Sequence, residues 1–423
     1  MPIIPPDDGL KGLAKVRPLN GFGCMPNRQQ QGHDALTGAV YELAIVEFDD
    51  QGRAYDRKQV DLVERRLTQL TADRADAIIV AFTHGWKHDA RSDDDDLSAF
   101  RHLLAQTVDH ENGTAVTAGI KPRPVLGIFI GWRGLSYYGP SDYVADASFF
   151  TRQSAGRRVA VGSVREIFGR ARAYRNTRLD QEGNPLLVIA GHSFGGMIVF
   201  SALAQSLIEA AATPDGALVP GFADLVLLVN PAIEGARYLP IYDLIQGFAA
   251  NPNRPLQLPV FVCAQAKNDI PVGKIFPVAS FPASLTQGTI GSLERRCINH
   301  GIGFIREFRT HSLAGPTATL PFDLTPVAIL TSNPFWMVSA EPAVIDGHGG
   351  IWQDPFLLFL ASIVFQHVQV SQTRQPELVQ PGGGPELRLM AEALSRPQRD
   401  GREQAGNLAE YARDIKMAPL CRR

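Results

Sequence analysis

The stretch "PLLVIAGHSFGGMIVFSALAQSLIEAA", residues 185–211, decides the fold because it joins two apolar segments through a tight, glycine-rich turn. The first segment, 185–191, is a short β-branched run, which predicts a buried strand. The second segment, 195–211, is apolar on nearly every side and predicts a buried helix. A serine, Ser193, stands where the chain reverses between them. The stretch therefore predicts a strand–turn–helix unit in the middle of a sheet.

The same alternation of apolar strand and helix runs along most of the chain. Further strands are predicted at 39–49, 76–86, 124–132, 223–232, 259–266 and 334–341, and helices at 57–72, 96–108, 157–175 and 355–368. Strands that are apolar throughout and separated by helices are typical of parallel strands buried on both faces. The prediction is an α/β fold with a doubly wound, mostly parallel sheet, whose sites lie at the carboxyl ends of the strands.

Several segments depart from this rhythm. Residues 1–37 are rich in Pro, Gly and Gln and are interpreted as an irregular lead-in to a main domain at 38–370. Within that domain, 133–154 and 271–330 lack a clear period and predict cap-like insertions, and which of them would cover a site stays open. Residues 371–423 are interpreted as a linker, "VQPGGGP", followed by a charged helical tail.

Composition argues against several classes of function. The 41 Lys and Arg against 43 Asp and Glu give a net charge of −2, so nucleic acid is not an expected partner. The four cysteines are far apart, which predicts neither a disulfide framework nor a zinc site. The N-terminus lacks the pattern of a secretory signal and the apolar run 356–365 is too short to span a bilayer, so we expect a cytoplasmic protein without a membrane span. No cofactor is expected, and the oligomeric state stays open.

The serine turn carries the first chemical signal. "GHSFGG" (191–196) fits the G-x-S-x-G pattern of a nucleophile elbow, with a strand before it and a helix after it. Gly191 and Gly195 have no β-carbon to collide as the strand reverses into the helix. The turn would push Ser193 Oγ out at the top of the sheet, above a helix N-terminus that favours developing negative charge. Ser193 is therefore the candidate nucleophile and His192 only its neighbour, with a purely structural turn as the alternative.

A second turn, "FTHGW" (82–86), follows an earlier strand and is the candidate for half of an oxyanion hole. In enzymes with a nucleophile elbow, the oxyanion is held by the N–H after the nucleophile and by one from an earlier strand–helix loop. Phe194 and Trp86 occupy these two positions, and Gly85 lets the backbone approach. We therefore expect the N–H groups of Phe194 and Trp86 to face the reacting carbonyl.

Polar and aromatic side chains near this turn have competing interpretations. His84 and His88 are four residues apart, but no helix aligns them, so no metal is predicted and His84 is expected to orient the loop or line a pocket. In "GWRGLSYYGP" (131–140), Trp132 and Tyr137 are candidate pocket residues, with ordinary packing as the alternative.

The acidic run "RSDDDD" (91–96) resembles a cation site only superficially. Four successive carboxylates cannot all point at one ion. The run therefore predicts a solvated loop in which Asp96 or a neighbour caps the next helix.

The base and the acid are expected downstream of the serine, in the order Ser, then Asp or Glu, then His. "VIDGHGGIW" (344–352) places His348 in a glycine-flanked loop between the final strand and the final helix, so His348 is the candidate base. "KNDIP" places Asp269 just beyond a strand end, where its carboxylate can accept from the imidazole Nδ1–H. Glu234, after the preceding strand, is the rival acid.

Together, "FTHGW", "GHSFGG", "KNDIP" and "DGHGG" resemble the motifs of the α/β-hydrolase superfamily over roughly 38–370, and most closely its serine esterase and lipase branch. The resemblance implies a catalytic domain in which Ser193, Asp269 and His348 form a triad that hydrolyses a small-molecule ester or lipid. It also implies attack by the serine on the ester carbonyl and an acyl-enzyme that water hydrolyses. The long irregular segments and the tail depart from the family, which leaves substrate range and lid open. A thioesterase or acyltransferase with the same triad, or a non-catalytic binding module, remains an alternative.

Overall fold

The computed structural model describes residues 24–26, 40–86, 88, 90, 94–133, 149–248, 254–255, 257–275, 288–316, 322–327 and 333–372. The chain divides into two compact units, Met1–Pro376 and Glu377–Arg423, and every described residue belongs to the first. The predictions for the lead-in other than 24–26, for Tyr137 and for the tail beyond 372 lie outside the described residues. The same holds for 134–148 of the insertion predicted at 133–154, and for 276–287, 317–321 and 328–330 of the insertion predicted at 271–330.

The strands of the described residues form one ten-stranded sheet. They are β1 (Cys24–Pro26), β2 (Val40–Phe48), β3 (Ile78–Thr83), β4 (Val125–Trp132), β5 (Leu186–His192), β6 (Leu225–Val229), β7 (Phe261–Ala266), β8 (His311–Ala314), β9 (Asp323–Pro326) and β10 (Phe335–Ala340). Their order is β1-β2-β4-β3-β5-β6-β7-β10-β8-β9. All neighbours from β2 to β8 in this order are parallel, whereas β1 and β9 pair antiparallel at the edges.

Helices cover both faces of the sheet. They are α1 (Arg57–Ala72), α2 (Asp95–Ala118), α3 (Phe149–Val161), α4 (Val164–Asp180), α5 (Phe194–Ala211), α6 (Leu239–Ile245), α7 (Ser292–Asn299) and α8 (Asp354–Gln372). Helices α2 and α8 pack on one face, and α1 with α3 to α7 packs on the other. The prediction of an α/β fold with a doubly wound, mostly parallel sheet is confirmed.

The continuous apolar runs of the sequence arise because each central strand is buried on both faces. In β4, Leu126, Ile128 and Ile130 pack toward the α5 side, whereas Val125 and Phe129 pack toward α2. All eight residues of β4 are buried. A strand covered on one face only would instead alternate apolar and polar residues.

Helix α5 is the most apolar helix of the sheet's centre. Of the described helices, it alone is long and apolar enough to cross a membrane by length and composition, yet 67% of it is buried inside the molecule. Its apolar residues contact the strands and the neighbouring helices. The composition of α5 is therefore that of a core helix.

Several features of the chain differ from the sequence prediction. The helix predicted at 96–108 extends over Asp95–Ala118 as α2. The helix predicted at 157–175 is two helices, α3 and α4, which meet where Ser163 N–H donates to the Gly52 carbonyl at 2.7 Å. A β-carbon on Gly162 would collide with the same carbonyl, so tertiary contact breaks the helix there. Within 271–330 the chain forms the helix α7 and the strands β8 and β9. The two strands extend the sheet beyond β10. These strands are only four residues long, which is too short for a clear periodicity.

Candidate active site

Ser193 lies between β5 and α5 in a backbone conformation that residues with side chains rarely adopt. Its φ is 55° and its ψ is −121°, and its N–H donates to the Val229 carbonyl at 3.0 Å. A β-carbon on Gly191 would lie 2.5 Å from the Gly195 carbonyl oxygen, and one on Gly195 would collide with the carbonyl of Thr83. The reversal therefore requires glycine at both positions, as the sequence predicted. Such a backbone costs roughly 1–3 kcal/mol and persists only where its surroundings impose it.

His348 brings the three predicted triad residues together. Its Nε2 lies 2.7 Å from Ser193 Oγ, and its Nδ1 lies 2.9 Å from Asp269 Oδ2. The Asp269 side chain is completely buried, whereas that of His348 is 21% exposed. A buried carboxylate on Nδ1 favours the tautomer whose Nε2 can take a proton from a hydroxyl. The arrangement can therefore move a proton from the serine to the imidazole.

The rival acid, Glu234, has different partners. Its two carboxylate oxygens pair with Arg157 and with Arg237, the latter at 3.1 Å. No hydrogen bond joins Glu234 to His348 within the described residues. Asp269 is therefore the carboxylate that lies against the imidazole.

The predicted oxyanion turn adjoins the serine. Phe194 is the first residue of α5, so its N–H belongs to the helix terminus, where backbone donors point toward anions. Gly85 packs so closely that a β-carbon on it would lie 3.0 Å from Ser193 Cβ. The ring centroids of Trp86 and Phe194 are 6.5 Å apart. The turn and the start of the helix thus flank the same hydroxyl.

His84 and Trp132 are buried and are joined by two hydrogen bonds. His84 Nε2 accepts from the Trp132 backbone N–H at 3.1 Å, and Trp132 Nε1 donates to the His84 carbonyl at 2.9 Å. His84 Nδ1 donates to the Gly85 carbonyl at 2.9 Å, so both ring nitrogens are occupied. Burial lowers the pKa of His84, which keeps the ring neutral. His84 therefore braces the turn, and Trp132, 1% exposed, packs in the core and not along an open pocket.

His88 pairs with two aspartates at the start of α2. Its Nδ1 lies 3.2 Å from Asp94 Oδ2, and its Nε2 lies 3.8 Å from Asp96 Oδ2. Burial lowers the pKa of His88, but the hydrogen bond that its Nδ1–H donates to Asp94 and the nearby aspartate charges outweigh burial and raise the pKa to about 9. His88 is thus a cation at neutral pH.

The acidic run before α2 differs in part from its prediction. Asp94 caps the helix, because its Oδ1 accepts from the Asp96 N–H at 2.9 Å. Asp94 and Asp96 are buried, however, so this part of the run is not the solvated loop that the sequence predicted. The physical reason is the His88 cation, which compensates the buried carboxylates. In the described part of the chain, no group of three His, Cys, Asp or Glu side chains is arranged to hold a metal.

His192 separates the oxyanion turn from the His348 loop. Its Nε2 donates to the His348 carbonyl at 3.0 Å, and the two rings lie 5.0 Å apart. Burial, followed by the charge of His348, lowers the pKa of His192 to about 4. A neutral, buried ring that faces a carbonyl is not placed to act as the base.

The sequence did not predict the contacts of Asn230 and Gln265. Both side chains are buried, and both lie at the carboxyl ends of neighbouring strands beside Asp269. The position of Asn230 directly after a continuous apolar strand is the signal that would have identified it, because sites gather at such ends.

Comparison with known proteins adds little to this geometry. No protein-family model and no curated protein matches the chain. It is similar to the crystal structure of a predicted CIB-like hydrolase from Thermoplasma acidophilum, with 13% identity, a TM-score of 0.24, and coverage of 69% of this chain and 86% of that one. It is also similar to TT1662 from Thermus thermophilus, with 15% identity, a TM-score of 0.23, and coverage of 71% and 91%. At these scores the likeness carries no weight for function, which rests on the geometry of the site.

Proposed function

We propose that this protein is a serine hydrolase that cleaves carboxylic esters through an acyl-enzyme intermediate. The observation that carries the proposal is the line of hydrogen bonds from Asp269 through His348 to Ser193 Oγ. A serine hydroxyl is a weak nucleophile until an adjacent base takes its proton. This line supplies such a base and a carboxylate that orients it.

Acylation begins when Ser193 Oγ adds to the ester carbonyl carbon while its proton passes to His348 Nε2. The tetrahedral oxyanion accepts hydrogen bonds from the N–H groups of Phe194 and Trp86. His348 then gives the proton to the leaving oxygen, which departs as an alcohol and leaves the serine acylated. Asp269 accepts the hydrogen bond from His348 Nδ1–H in both states and stabilises the imidazolium.

Deacylation repeats these steps with water as the nucleophile. His348 takes a proton from the water as its oxygen adds to the acyl carbon, and then returns the proton to Ser193 Oγ. The products are a carboxylic acid and the free enzyme. The same nucleophile would serve a thioesterase or an acyltransferase, and we prefer ester hydrolysis because the four motifs resemble the serine esterase and lipase branch.

The proposal is tested with short- and long-chain p-nitrophenyl esters and an acyl-CoA, on wild type, Ser193→Ala and Ser201→Ala. Ser201 lies on the same helix, α5, and is the matched control because it is outside the triad. We expect ester turnover by wild type and by Ser201→Ala, and a loss of about 10⁴-fold or more in kcat for Ser193→Ala. A fluorophosphonate is expected to label Ser193 and to leave Ser193→Ala unlabelled.

Three results would contradict the proposal. Unchanged turnover in Ser193→Ala, or a covalent adduct on another residue, would show that Ser193 is not the nucleophile. Faster turnover of the acyl-CoA than of every ester would favour the thioesterase alternative.

A further inference from the structure

Asn230 occupies an uncommon position at the end of β6. The residue is completely buried, and its φ of 45° lies in the left-handed region, where asparagine is one of the few enriched residues with side chains. Its backbone N–H donates to the Ala264 carbonyl at 2.8 Å, which holds it against β7 after β6 has ended. A strained backbone conformation persists in a buried residue only where the surrounding structure imposes it. The conformation of Asn230 therefore indicates that its side chain, which this backbone orients, has a role.

The Asn230 amide uses all four of its hydrogen-bonding positions. Its Nδ2 donates to the Gly347 carbonyl at 3.2 Å and to the His348 carbonyl at 2.9 Å. Its Oδ1 accepts from the Ala266 N–H at 2.8 Å and from Gln265 Nε2 at 3.2 Å. An amide has two donor protons and two acceptor lone pairs, so the hydrogen-bonding capacity of this one is fully used. If its Oδ1 and Nδ2 exchanged places, the NH₂ group would face the N–H donors of Ala266 and Gln265.

Gln265 connects this amide to the acid of the triad. Its Nε2 also donates to Asp269 Oδ2 at 2.9 Å. The same Oδ2 accepts from His348 Nδ1 at 2.9 Å. The hydrogen bonds therefore form a closed ring through Asn230, Gln265, Asp269 and His348, in which Asn230 holds the backbone of the base and Gln265 holds the acid.

The loop that carries His348 is held by several side chains, and Asn268 Oδ1 also accepts from the Gly347 N–H, at 2.8 Å. Gly347, with a φ of 69°, precedes the histidine, and Gly349 and Gly350 follow it. Glycine has more conformational freedom than any other residue, so a loop of this composition does not by itself fix the imidazole. His192 Nε2 supplies one further donor to the His348 carbonyl, at 3.0 Å.

We propose that Asn230 is a positioning residue that sets the reach of His348 toward Ser193 and Asp269 by fixing the His348 loop to the end of β7. The proposal rests on the proposed function of the triad. Asn230 hydrogen-bonds the backbone of the base and not its ring, and it reaches the acid only through Gln265, so it contacts none of the reacting atoms. Its loss is therefore expected to reduce kcat and to leave substrate binding nearly unchanged.

The test compares Asn230→Gly, Asn230→Asp and Asn333→Gly. Glycine tolerates a φ of 45° and removes the whole side chain, whereas aspartate keeps the size and the acceptor oxygens but removes both donors to the His348 loop. Asn333 is the matched control, because it is also buried, with its Oδ1 accepting from the Phe335 N–H at 2.9 Å at the opposite end of the sheet from the triad. Thermal unfolding of each variant verifies that it is folded at the assay temperature.

We expect both Asn230 variants to lower kcat for a short-chain p-nitrophenyl ester by about 10- to 100-fold, with KM changed by less than about twofold. Fluorophosphonate labelling of Ser193 is expected to slow by a similar factor. Asn333→Gly is expected to change neither rate. If kcat in both Asn230 variants equals that of Asn333→Gly, the proposal is wrong.

A proton NMR measurement separates this proposal from the proposed function. The His348 Nδ1 proton is expected to give a downfield resonance in wild type that is absent in His348→Gln. We expect Asn230→Gly to shift or broaden this resonance and Asn333→Gly to retain it, whether or not the enzyme hydrolyses esters. An unshifted resonance in Asn230→Gly would overturn the positioning role, and absence of ester turnover and of labelling in wild type would overturn only the proposed function.

Discussion

Asp269 and Glu234 differ in what surrounds their carboxylates, although both follow neighbouring strands. Asp269 is buried and contacts the imidazole, whereas Glu234 is bound by arginines on both oxygens. A carboxylate whose oxygens are both paired with guanidinium groups has little capacity left for an imidazole. Sequence position alone does not separate the two, because the choice depends on the partners that the fold brings near.

This difference gives a prediction for paired amide variants. We expect Asp269→Asn to reduce kcat by about 10³- to 10⁴-fold, because an amide no longer stabilises the imidazolium or its productive tautomer. Glu234→Gln is the matched control and is expected to retain kcat within about threefold. The measurement is steady-state hydrolysis of the p-nitrophenyl ester that wild type turns over fastest. A collapse of kcat in Glu234→Gln alone would assign the acid to Glu234.

Residues of the site were predictable where they carry a local motif. Ser193 and His348 are flanked by glycines at strand ends, and the structure brings both within hydrogen-bond distance of their expected partners. Asn230 and Gln265 have no glycine motif: the one sequence signal for Asn230 is its place directly after an apolar strand, and Gln265 lies within another strand. Their role follows from the pairing of β6 with β7, which a single sequence does not reveal.

At the scale of elements, the start of α2 connects the two loops of the site. Asp94 caps the helix and pairs with His88, which follows the oxyanion turn. Asp96 accepts from Trp352 Nε1 at 2.8 Å, and Trp352 lies at the end of the loop that carries His348. The first turn of one helix therefore ties together segments that flank the serine from different sides.

The two functions of Asp94 can be separated with a second helix cap. Asp56 caps α1 by accepting from the Lys58 N–H at 2.9 Å and is exposed. We expect Asp56→Ala to lower the free energy of unfolding by about 1 kcal/mol, the usual loss of a cap. Asp94→Ala is expected to lose about 2–4 kcal/mol, because it also leaves the His88 cation without its nearest hydrogen-bond partner. Urea unfolding measures both values, and Asp94→Asn, which keeps the cap alone, is expected to lie between them.

Equal losses in Asp56→Ala and Asp94→Ala would show that the pair with His88 adds nothing to the cap. The same outcome would show that the ion pair of His88 with Asp94 is not the reason why this acidic run is buried.

The elements that the sequence predicted well are those whose burial pattern is regular. Helix α1 has the bounds that its apolar spacing predicted, Arg57–Ala72, and β5 and α5 differ from their predicted bounds by one residue. The break between α3 and α4 was not predictable, because its cause is the close approach of Gly52, which is remote in sequence. Local periodicity thus predicts an element until a distant contact interrupts it.

For the whole molecule, described histidines that are buried or partly buried contribute to the pH dependence of the free energy of unfolding. Burial lowers the pKa to about 4 for three of them: His110, His192 and His311. In the unfolded chain, their pKa is near the ordinary value of about 6.5. Between these values the unfolded chain binds protons that the folded chain does not, so the free energy of unfolding falls as the pH falls. The pKa of His88 is instead raised to about 9, so its effect on the free energy of unfolding has the opposite sign. The stability that His88 contributes is lost as the pH rises from about 6.5 through 9.

We therefore expect stability to be greatest near pH 6.5–7 and to decline on both sides. On the acid side, each of the three histidines contributes at most about 1.4 kcal/mol per pH unit. Urea unfolding at several pH values between about 4.5 and 9.5 measures the profile. His311→Phe is expected to flatten its acid side and His88→Gln its alkaline side. An alkaline decline of the same steepness in His88→Gln and wild type would show that His88 does not cause it.

The spacing of the candidate site along the chain has a consequence for biosynthesis. The turn proposed for the oxyanion ends at Trp86, the proposed nucleophile is Ser193, and the proposed acid and base follow only at Asp269 and His348. A growing chain therefore completes β5 and its serine turn long before the ribosome has added the base. Until β10 has paired with β7 and placed the His348 loop beside Ser193, the serine hydroxyl lacks the imidazole nitrogen that lies 2.7 Å from it in the folded protein. If the proposed function is correct, a nascent chain is therefore inactive until β10, the last parallel strand in the sequence, has paired with β7 and β8.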